Sequence, residues 1–257
     1  MNPPRAAPGD TGRVRVETID VRRGSSRFRT RSDVAETLHS FSFGLHYDPE
    51  NVAFGPLLAH NDDRVQTGAG YPDHPHRDTE IVTWVLEGSL VHEDSAGNRG
   101  LIIPGLAQRM SAGSGIVHAE RNDAFRLDPS SPSTPVRFVQ MWLRPDAPGR
   151  CPSYQQRELD LGDLDRSWLP VASGQHSDAA VRLDSAGSTL WVTRLSPGTS
   201  RLLPGGRLQH VYLADGEVEV SSIGRLEAGD ALRLTGGDQL RLTGVRAAEL
   251  LVWEMAG

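Results

Sequence analysis

Short apolar segments separated by turn residues most constrain the fold of this 257-residue chain. The intervening stretches are rich in glycine, proline, asparagine and aspartate, which favour turns. Many short strands with few helical stretches predict an all-β sandwich or barrel. The Asn-Asp-Asp sequence at 61–63 is interpreted as one of the turns. The predicted strands are 14–21, 41–45, 55–60, 79–86, 89–94, 100–103, 108–110, 137–143, 190–195, 209–213, 217–221, 231–234, 239–243 and 249–253.

Two histidine-containing pairs in this β-rich sequence indicate a metal site. They are His74-Pro-His76 and His118-Ala-Glu120. Residues i and i+2 of a strand point to the same face, so each pair can direct two ligands to one point. Three imidazoles and a carboxylate suit a divalent transition metal better than Ca²⁺ or Mg²⁺. The alternative is that these are ordinary surface histidines. The histidines at 39, 46, 60 and 92 have no partner at this spacing and are expected to be structural or exposed.

The strand pattern occurs twice along the chain. Residues 210–220 repeat the order of apolar and turn residues found at 84–92, which predicts two tandem β-barrels. Residues 1–145 are assigned to the first barrel and residues 146–257 to the second, with a polar, Pro-containing crossover near the boundary. The second copy has neither a His-x-His nor a His-x-Glu pair, and His210 alone cannot supply a site. We therefore predict a degenerate second barrel without metal.

The sequence around the histidine pairs resembles the two motifs of the cupin superfamily. Residues 68–88 contain glycine, His-x-His, a glutamate and a short apolar strand, and residues 113–122 contain a Gly-rich turn, one histidine and an asparagine. Ser111 stands where cupins usually have proline, two extra residues precede His118, and Glu120 is added. The chain is most similar to pirins, over roughly residues 28–156. The shared segments are SFSFG (40–44), YDP (47–49), NDD (61–63), HPH (74–76), LEG (86–88), MSAG (110–113), HAE (118–120), QMW (140–142) and YQQ (154–156).

The resemblance to pirins implies a bicupin fold, two tandem cupin barrels, with one metal ion bound in the first. The implied ligands are His74, His76, His118 and Glu120. Other cupins use the glutamate that follows His-x-His, so Glu80 competes for the carboxylate role; otherwise it lines the pocket or hydrogen-bonds to a ligand. Asn122 either hydrogen-bonds to a ligand in the same way or forms an asparagine turn. Four further residues either line a pocket for a flat aromatic substrate or fill the barrel core: Phe43, Trp84, Met110 and Trp142.

The same resemblance implies a function. The leading expectation is a metal-dependent dioxygenase that opens the heterocycle of a flavonol such as quercetin with O₂, with Glu120 as ligand and proton acceptor. Iron is the first expectation for the metal, with Mn, Co, Ni, Cu or Zn as alternatives, at one ion per chain. The rival is a pirin-type regulator whose metal sets a surface that binds protein partners without turnover. A metal-binding stress protein without a specific substrate is a third possibility.

Composition argues against several other classes of protein. The net charge of −6 disfavours a general nucleic-acid binder, which needs a basic face for phosphate contacts. All 27 basic residues are arginine, so neither a Schiff-base lysine nor a P-loop lysine is available. Cys151 is the single cysteine and has no internal disulfide partner, which indicates a reducing compartment. No apolar leader or run of ~18–20 apolar residues is visible, so we expect a cytoplasmic protein without membrane contact.

Overall fold

The prediction of an all-β, two-barrel fold is confirmed by a computed structural model, which describes residues 16–127, 129, 133–236 and 239–257. In these residues the strands are β1 (Val16–Arg22), β2 (Phe28–Arg31), β3 (Ala35–His39), β4 (Leu57–Val65), β5 (Gly70–His76), β6 (Glu80–Glu87), β7 (Leu90–Asp94), β8 (Arg99–Ile102), β9 (Leu106–Ser111), β10 (Ile116–Arg121), β11 (Val136–Leu143), β12 (Ser153–Glu158), β13 (Leu169–Ser173), β14 (Val181–Arg182), β15 (Ser188–Leu195), β16 (Ser200–Leu202), β17 (Leu208–Val220), β18 (Gly224–Glu227), β19 (Ala231–Gly236) and β20 (Arg241–Met255). Helical structure there is limited to α1 (Leu161–Leu164) and two 3-10 turns, Gly24–Ser26 and Ala124–Arg126. None of the described helices is long and apolar enough to cross a membrane.

The first barrel is made of two sheets that pack face to face. One has seven strands in the order β12-β9-β6-β11-β4-β3-β2, and the other has four in the order β5-β10-β7-β8. Their inner faces share apolar clusters: Val85 and Phe138 of the larger sheet pack with Leu90 and Ile102 of the smaller one. The smaller sheet contains both histidine pairs, so the packing fixes the pairs against the inside of the barrel.

The second barrel is built on a nine-stranded sheet in the order β1-β19-β17-β20-β15-β13-β14, with β16 paired to β20 and β18 to β17. Two strands pair with the barrel of the other half of the chain. β1, near the N-terminus, pairs with β19 of the second barrel, and β12, which follows residue 145, pairs with β9 of the first. The division of the chain at residue 145 stays a prediction.

A shared core holds the two barrels together. Trp84 and Met141 of the first barrel belong to the same buried cluster as Tyr212 and Trp253 of the second. The indole N–H of Trp84 donates to Glu249 Oε1 at 2.7 Å, which satisfies a polar atom that would otherwise be buried unpaired. Because an unpaired buried donor costs free energy, this bond favours one relative placement of the barrels.

Two local predictions were wrong. Residues 41–45 do not form a strand; the segment turns at Gly44 (φ +58°), and only a bridge joins Phe43 to His46. Residues 61–63 do not form a turn, because they continue β4 and are buried. Their polar side chains are accommodated because partners on neighbouring strands hydrogen-bond to them. Of the predicted strand at 14–21, residues 14 and 15 lie outside the described part of the chain.

Candidate metal centre

Two neighbouring strands bring the three predicted histidine ligands together. β5 and β10 pair antiparallel with His74 directly opposite His118, and His76 lies two residues further along β5. A β-bulge follows His118 and shifts the register before Glu120. A Cβ atom on Gly70 would lie 2.2 Å from the backbone oxygen of Glu120, so only glycine allows β5 to approach β10 at this point.

The three imidazoles form a compact cluster. One ring nitrogen from each of His74, His76 and His118 can be chosen so that all three lie within 4.8 Å of one another. The ring centroids of His74 and His118 are 4.4 Å apart. The Nδ1 atom of His74 lies 2.8 Å from the carbonyl oxygen of Pro72. A carbonyl can only accept, so this Nδ1 carries a proton, and Nε2 is the ring nitrogen left to bind a metal ion.

The donor set fits a divalent transition metal. Within the described residues, the Nε2 atoms of His76 and His118 are buried without a hydrogen-bond partner. Burial is the main cause that lowers the pKa of His118 to about 2. Burial also lowers the pKa of His76 to about 4, and repulsion from His74 is the smaller cause. Both rings are therefore neutral at physiological pH, as metal coordination requires. A bound cation would give these orphaned nitrogens the partner that buried polar atoms normally have.

Glu120 lies beside this cluster and is completely buried. It does not join His74 and His76 at the 4.8 Å spacing; its carboxylate instead groups with His118 and His92. The Nε2 atom of Gln140 donates to both carboxylate oxygens, at 2.9 and 2.7 Å. Burial raises the pKa of Glu120 to about 7, although the Gln140 hydrogen bond opposes the rise. The glutamine thus holds the carboxylate next to the imidazoles.

His92 is a member of the site that the sequence did not reveal. It lies on β7, which pairs with the other edge of β10 and places His92 opposite Glu120. Its Nδ1 is 3.4 Å from His118 Nδ1, and its Nε2 is 3.3 Å from Asp94 Oδ2. The ring also stacks on Tyr154 at 4.8 Å. The arrangement Asp94–His92–His118 resembles the hydrogen-bonded supports that orient metal-ligating histidines in proteins.

The structure directs Glu80 away from the cluster, in contrast to the prediction that it competes as a ligand or lines the pocket. Asp78 has a positive φ of 48°, so the strand that ends at His76 does not continue, and Glu80 begins β6 in the other sheet. Its Oε2 accepts hydrogen bonds from Ser111 Oγ at 2.9 Å and from the backbone N–H of Asp184 at 3.2 Å. Glu80 therefore links the first barrel to the second.

Asn122 is likewise directed away from the imidazoles. Its side-chain Nδ2 donates to the carbonyl oxygens of Val65 at 3.1 Å and Thr134 at 2.9 Å. Its backbone groups bond to Gly68 and Ala69. These four partners fix the end of β10 to the adjacent chain segments.

A cavity of about 620 Å³ opens in front of the cluster. His74, Glu120 and Gln140 lie at one part of its wall, and Phe43 and Trp142 supply aromatic surface. The rings of Phe43 and Trp142 meet edge to face, with centroids 5.2 Å apart. The other two predicted pocket residues, Trp84 and Met110, are fully buried in the apolar clusters instead. His39 and His46, predicted to be structural or exposed, also line this cavity.

A second buried carboxylate lies in the cavity wall and was also not predicted. Asp63 of β4 accepts hydrogen bonds from Tyr71 Oη at 2.6 Å and from Thr37 Oγ1 at 2.5 Å. Burial raises its pKa to about 6, although both hydrogen bonds oppose the rise. The negative charge of Glu120 contributes to raising the pKa of Tyr71, and that of Asp63 contributes to raising the pKa of Glu120. Asp63 and Glu120 therefore belong to one polar region of the cavity.

Comparison with known proteins identifies the family. The family model described as Pirin matches residues 21–143. A Mycobacterium tuberculosis protein named "putative quercetin 2,3-dioxygenase" is 47% identical over 93% of this chain and 95% of the relative. A pirin-like protein of Caulobacter vibrioides is 38% identical over 74% of this chain and 79% of the relative.

Solved structures agree with these relatives. The crystal structure of YhhW from Escherichia coli superposes with a TM-score of 0.83 at 28% identity, covering 93% of this chain and 97% of YhhW. A structure of bacterial pirin YhhW in complex with nickel(II) gives a TM-score of 0.82 at 26% identity, covering 93% and 99% of the two chains. The chain belongs to the pirin family.

Proposed function

We propose that the protein is a metal-dependent dioxygenase that opens the heterocycle of a flavonol with O₂. The observation that carries the proposal is a cluster of three imidazoles beside a cavity with aromatic walls, whose lining includes His74 and the buried carboxylate of Glu120. Its volume of about 620 Å³ lies within the usual range for small-molecule sites, roughly 300–1,000 Å³. The names of the relatives support the same reaction class.

The metal ligands in this proposal are His74, His76, His118 and Glu120, with one divalent transition metal per chain. Iron remains the first expectation, and the nickel(II) complex of YhhW shows that a member of the family accepts another divalent ion. When bound, such an ion can hold an ionised substrate oxygen and orient O₂.

The residues that line the cavity have further, separate roles in the proposed reaction. Glu120 accepts the proton of the flavonol 3-hydroxyl, and Gln140 keeps that carboxylate in position through its two hydrogen bonds. Phe43 and Trp142 pack against the flat rings and exclude water. The indole N–H of Trp142 donates to Gln140 Oε1 at 2.9 Å, which connects the aromatic wall to the support of Glu120.

The decisive experiment follows quercetin, O₂ and CO together. Metal-loaded protein under air should remove the long-wavelength absorbance of quercetin with saturation kinetics. It should also consume O₂ and release CO in equal amounts, because both oxygen atoms are inserted and one carbon is expelled. A flavone without the 3-hydroxyl should resist, since it has no ionisable oxygen at that position.

A matched pair of variants tests the site. His76→Ala should be folded and inactive, whereas His176→Ala, outside the cavity and against Trp191 of the second barrel, should keep full activity. Equal bleaching of quercetin by His76→Ala or by free metal would refute the dioxygenase proposal. Tight binding of one metal without turnover of any flavonol would favour the regulatory alternative.

A further inference from the structure

A second cavity, of about 260 Å³, lies between the two barrels and has a basic wall. The first-barrel side includes Arg27, and the second-barrel side includes His210 and Arg233. Arg22 and Arg23 close it at the end of β1. The cavity is distinct from the one at the metal cluster, and of their lining residues only His39 is common to both.

Two of the four arginines are neutralised by neighbouring carboxylates. Arg22 Nε lies 2.7 Å from Asp20, and Arg23 Nη1 lies 2.6 Å from Asp230. Asp230 is held further by the backbone N–H of Gly24 at 2.7 Å. These ion pairs leave little net charge at this end of the cavity.

The other two arginines have no carboxylate within 4.0 Å among the described residues. In the part of the chain that the structure describes, the acceptors of Arg27 are all uncharged and include Tyr212 Oη at 2.9 Å. Arg233 donates to the backbone oxygen of Ser40 at 3.0 Å and stacks over the ring of Phe41 at 4.2 Å. Both Nε atoms are buried and lack a partner in the described part of the chain.

More distant carboxylates offset this charge only in part. Asp62 and Asp63 attract Arg27, but Asp62 is already paired with Arg137. Asp20 attracts Arg233 but is already paired with Arg22. Among the described residues that line the cavity, Asp48 is the one carboxylate, and it accepts from the backbone N–H of Glu50 in a local turn. Burial lowers the pKa of Arg233 to about 10, so the guanidinium is still protonated at neutral pH. Both ring nitrogens of His210, a residue only 1% exposed, are also unpartnered within the described residues. Buried charges and polar groups are normally paired, so the cavity lacks an anionic partner.

We propose that this interbarrel cavity binds a small oxyanion, a phosphate or carboxylate group, between Arg27 and Arg233. Guanidinium groups bind such oxygens through paired, charge-assisted N–H bonds. The volume is sufficient, because a water molecule takes up about 30 Å³ and the cavity is several times larger. Because the two arginines come from different barrels, the anion would also join the barrels.

Calorimetric titration of the metal-loaded protein with inorganic phosphate and, separately, with acetate tests the site. Ionic strength is kept constant with chloride. One of the two anions should bind saturably at one per chain, and Arg233→Met should weaken that binding at least tenfold. Methionine keeps an apolar side chain over Phe41 while removing the charge. The control is Arg157→Met, which removes an exposed arginine on β12 and should leave the affinity unchanged.

The two probes also identify the ligand chemistry. Binding of phosphate alone indicates a phosphate-bearing ligand, and binding of acetate alone indicates a carboxylate. Arg27→Met should show the same loss of anion affinity as Arg233→Met. Its fold is checked by circular dichroism, and it replaces Arg233→Met as the test if that variant does not fold. No saturable binding of either anion overturns the proposal. Equal binding by Arg233→Met and Arg157→Met also overturns it, because the anion would then lie elsewhere, for example at the metal.

Discussion

Replacement of Asp63 by asparagine should stabilise the metal-free protein at neutral pH. Asp63 is buried, and its pKa rises from an ordinary 3.8 to about 6 because burial disfavours the charged form. Ionising it at pH 7 therefore costs folding free energy. Asparagine keeps an oxygen that can accept from Tyr71 and Thr37 but carries no charge. The metal must be removed first, because a nearby cation would favour the carboxylate.

The magnitude and its pH dependence follow from the two pKa values. The folded-state pKa of Asp63 lies above the unfolded-state value. The contribution of Asp63 to the free energy of unfolding is therefore complete below pH ~4 and is lost as the pH rises through 6. At ~1.36 kcal/mol per pKa unit, the loss is about 1 kcal/mol at pH 4.5 and about 3 kcal/mol at pH 7.5. Asp63→Asn should therefore exceed the wild-type protein in stability by an amount that grows by about 2 kcal/mol over this range.

Urea unfolding of both proteins between pH 4.5 and 7.5 measures this difference. The control is the neighbouring variant Asp62→Asn, whose change in the free energy of unfolding should have the opposite sign. Burial alone would raise the pKa of Asp62, but the hydrogen bond and charge of Arg137 outweigh it and lower the pKa. The Arg137–Asp62 ion pair, at 2.8 Å, would be lost, so Asp62→Asn should be destabilising at neutral pH. A stability difference for Asp63→Asn that stays constant with pH, or that has the reverse sign, would refute the reasoning.

Three further predictions concern the metal. Elemental analysis should find about one transition-metal ion per chain, lost in His118→Ala and retained in His210→Ala; a stoichiometry near two would contradict the single site. In a chelator competition titration, Glu120→Gln should weaken binding more than Glu80→Gln, and the reverse order would mean that Glu80 is the ligand. His92→Phe should lower metal affinity by about 10–100-fold, as is typical when a group that orients a ligand is lost. Unchanged affinity in the same titration would show that His92 only packs against His118.

The parts of the fold and site that depend on local periodicity could be predicted. His74 and His76 project to one side because the repeat of a strand is two residues, and this holds whatever lies beside the strand. The same alternation and the turn residues between segments were sufficient to predict an all-β chain. These features depend on residues close in sequence, so one sequence is enough to recognise them.

The parts that depend on strand pairing could not be predicted in the same way. His92 reaches His118 because β7 pairs with β10 in one particular register, which a single sequence does not reveal. Glu80 was expected at the site by its resemblance to the glutamate of other cupins, but the positive φ of Asp78 ends the strand of His76, and Glu80 begins a strand of the other sheet. Asp63 looked like a turn residue because aspartate is favoured in turns, but Tyr71 and Thr37 bond to it inside the sheet.

The contacts between the barrels suggest why a second barrel without a His-x-His pair is retained. It supplies hydrogen bonds to the three strands behind the cavity: Tyr212 donates to Asp62 on β4, Glu249 accepts from Trp84 on β6, and the carbonyl of Ala214 accepts from Arg137 on β11. Asp62 is adjacent to Asp63, and Arg137 is on the strand that carries Gln140. A displacement of the second barrel would therefore be transmitted to the residues that position Glu120. We expect the second barrel to act on the site through these three contacts.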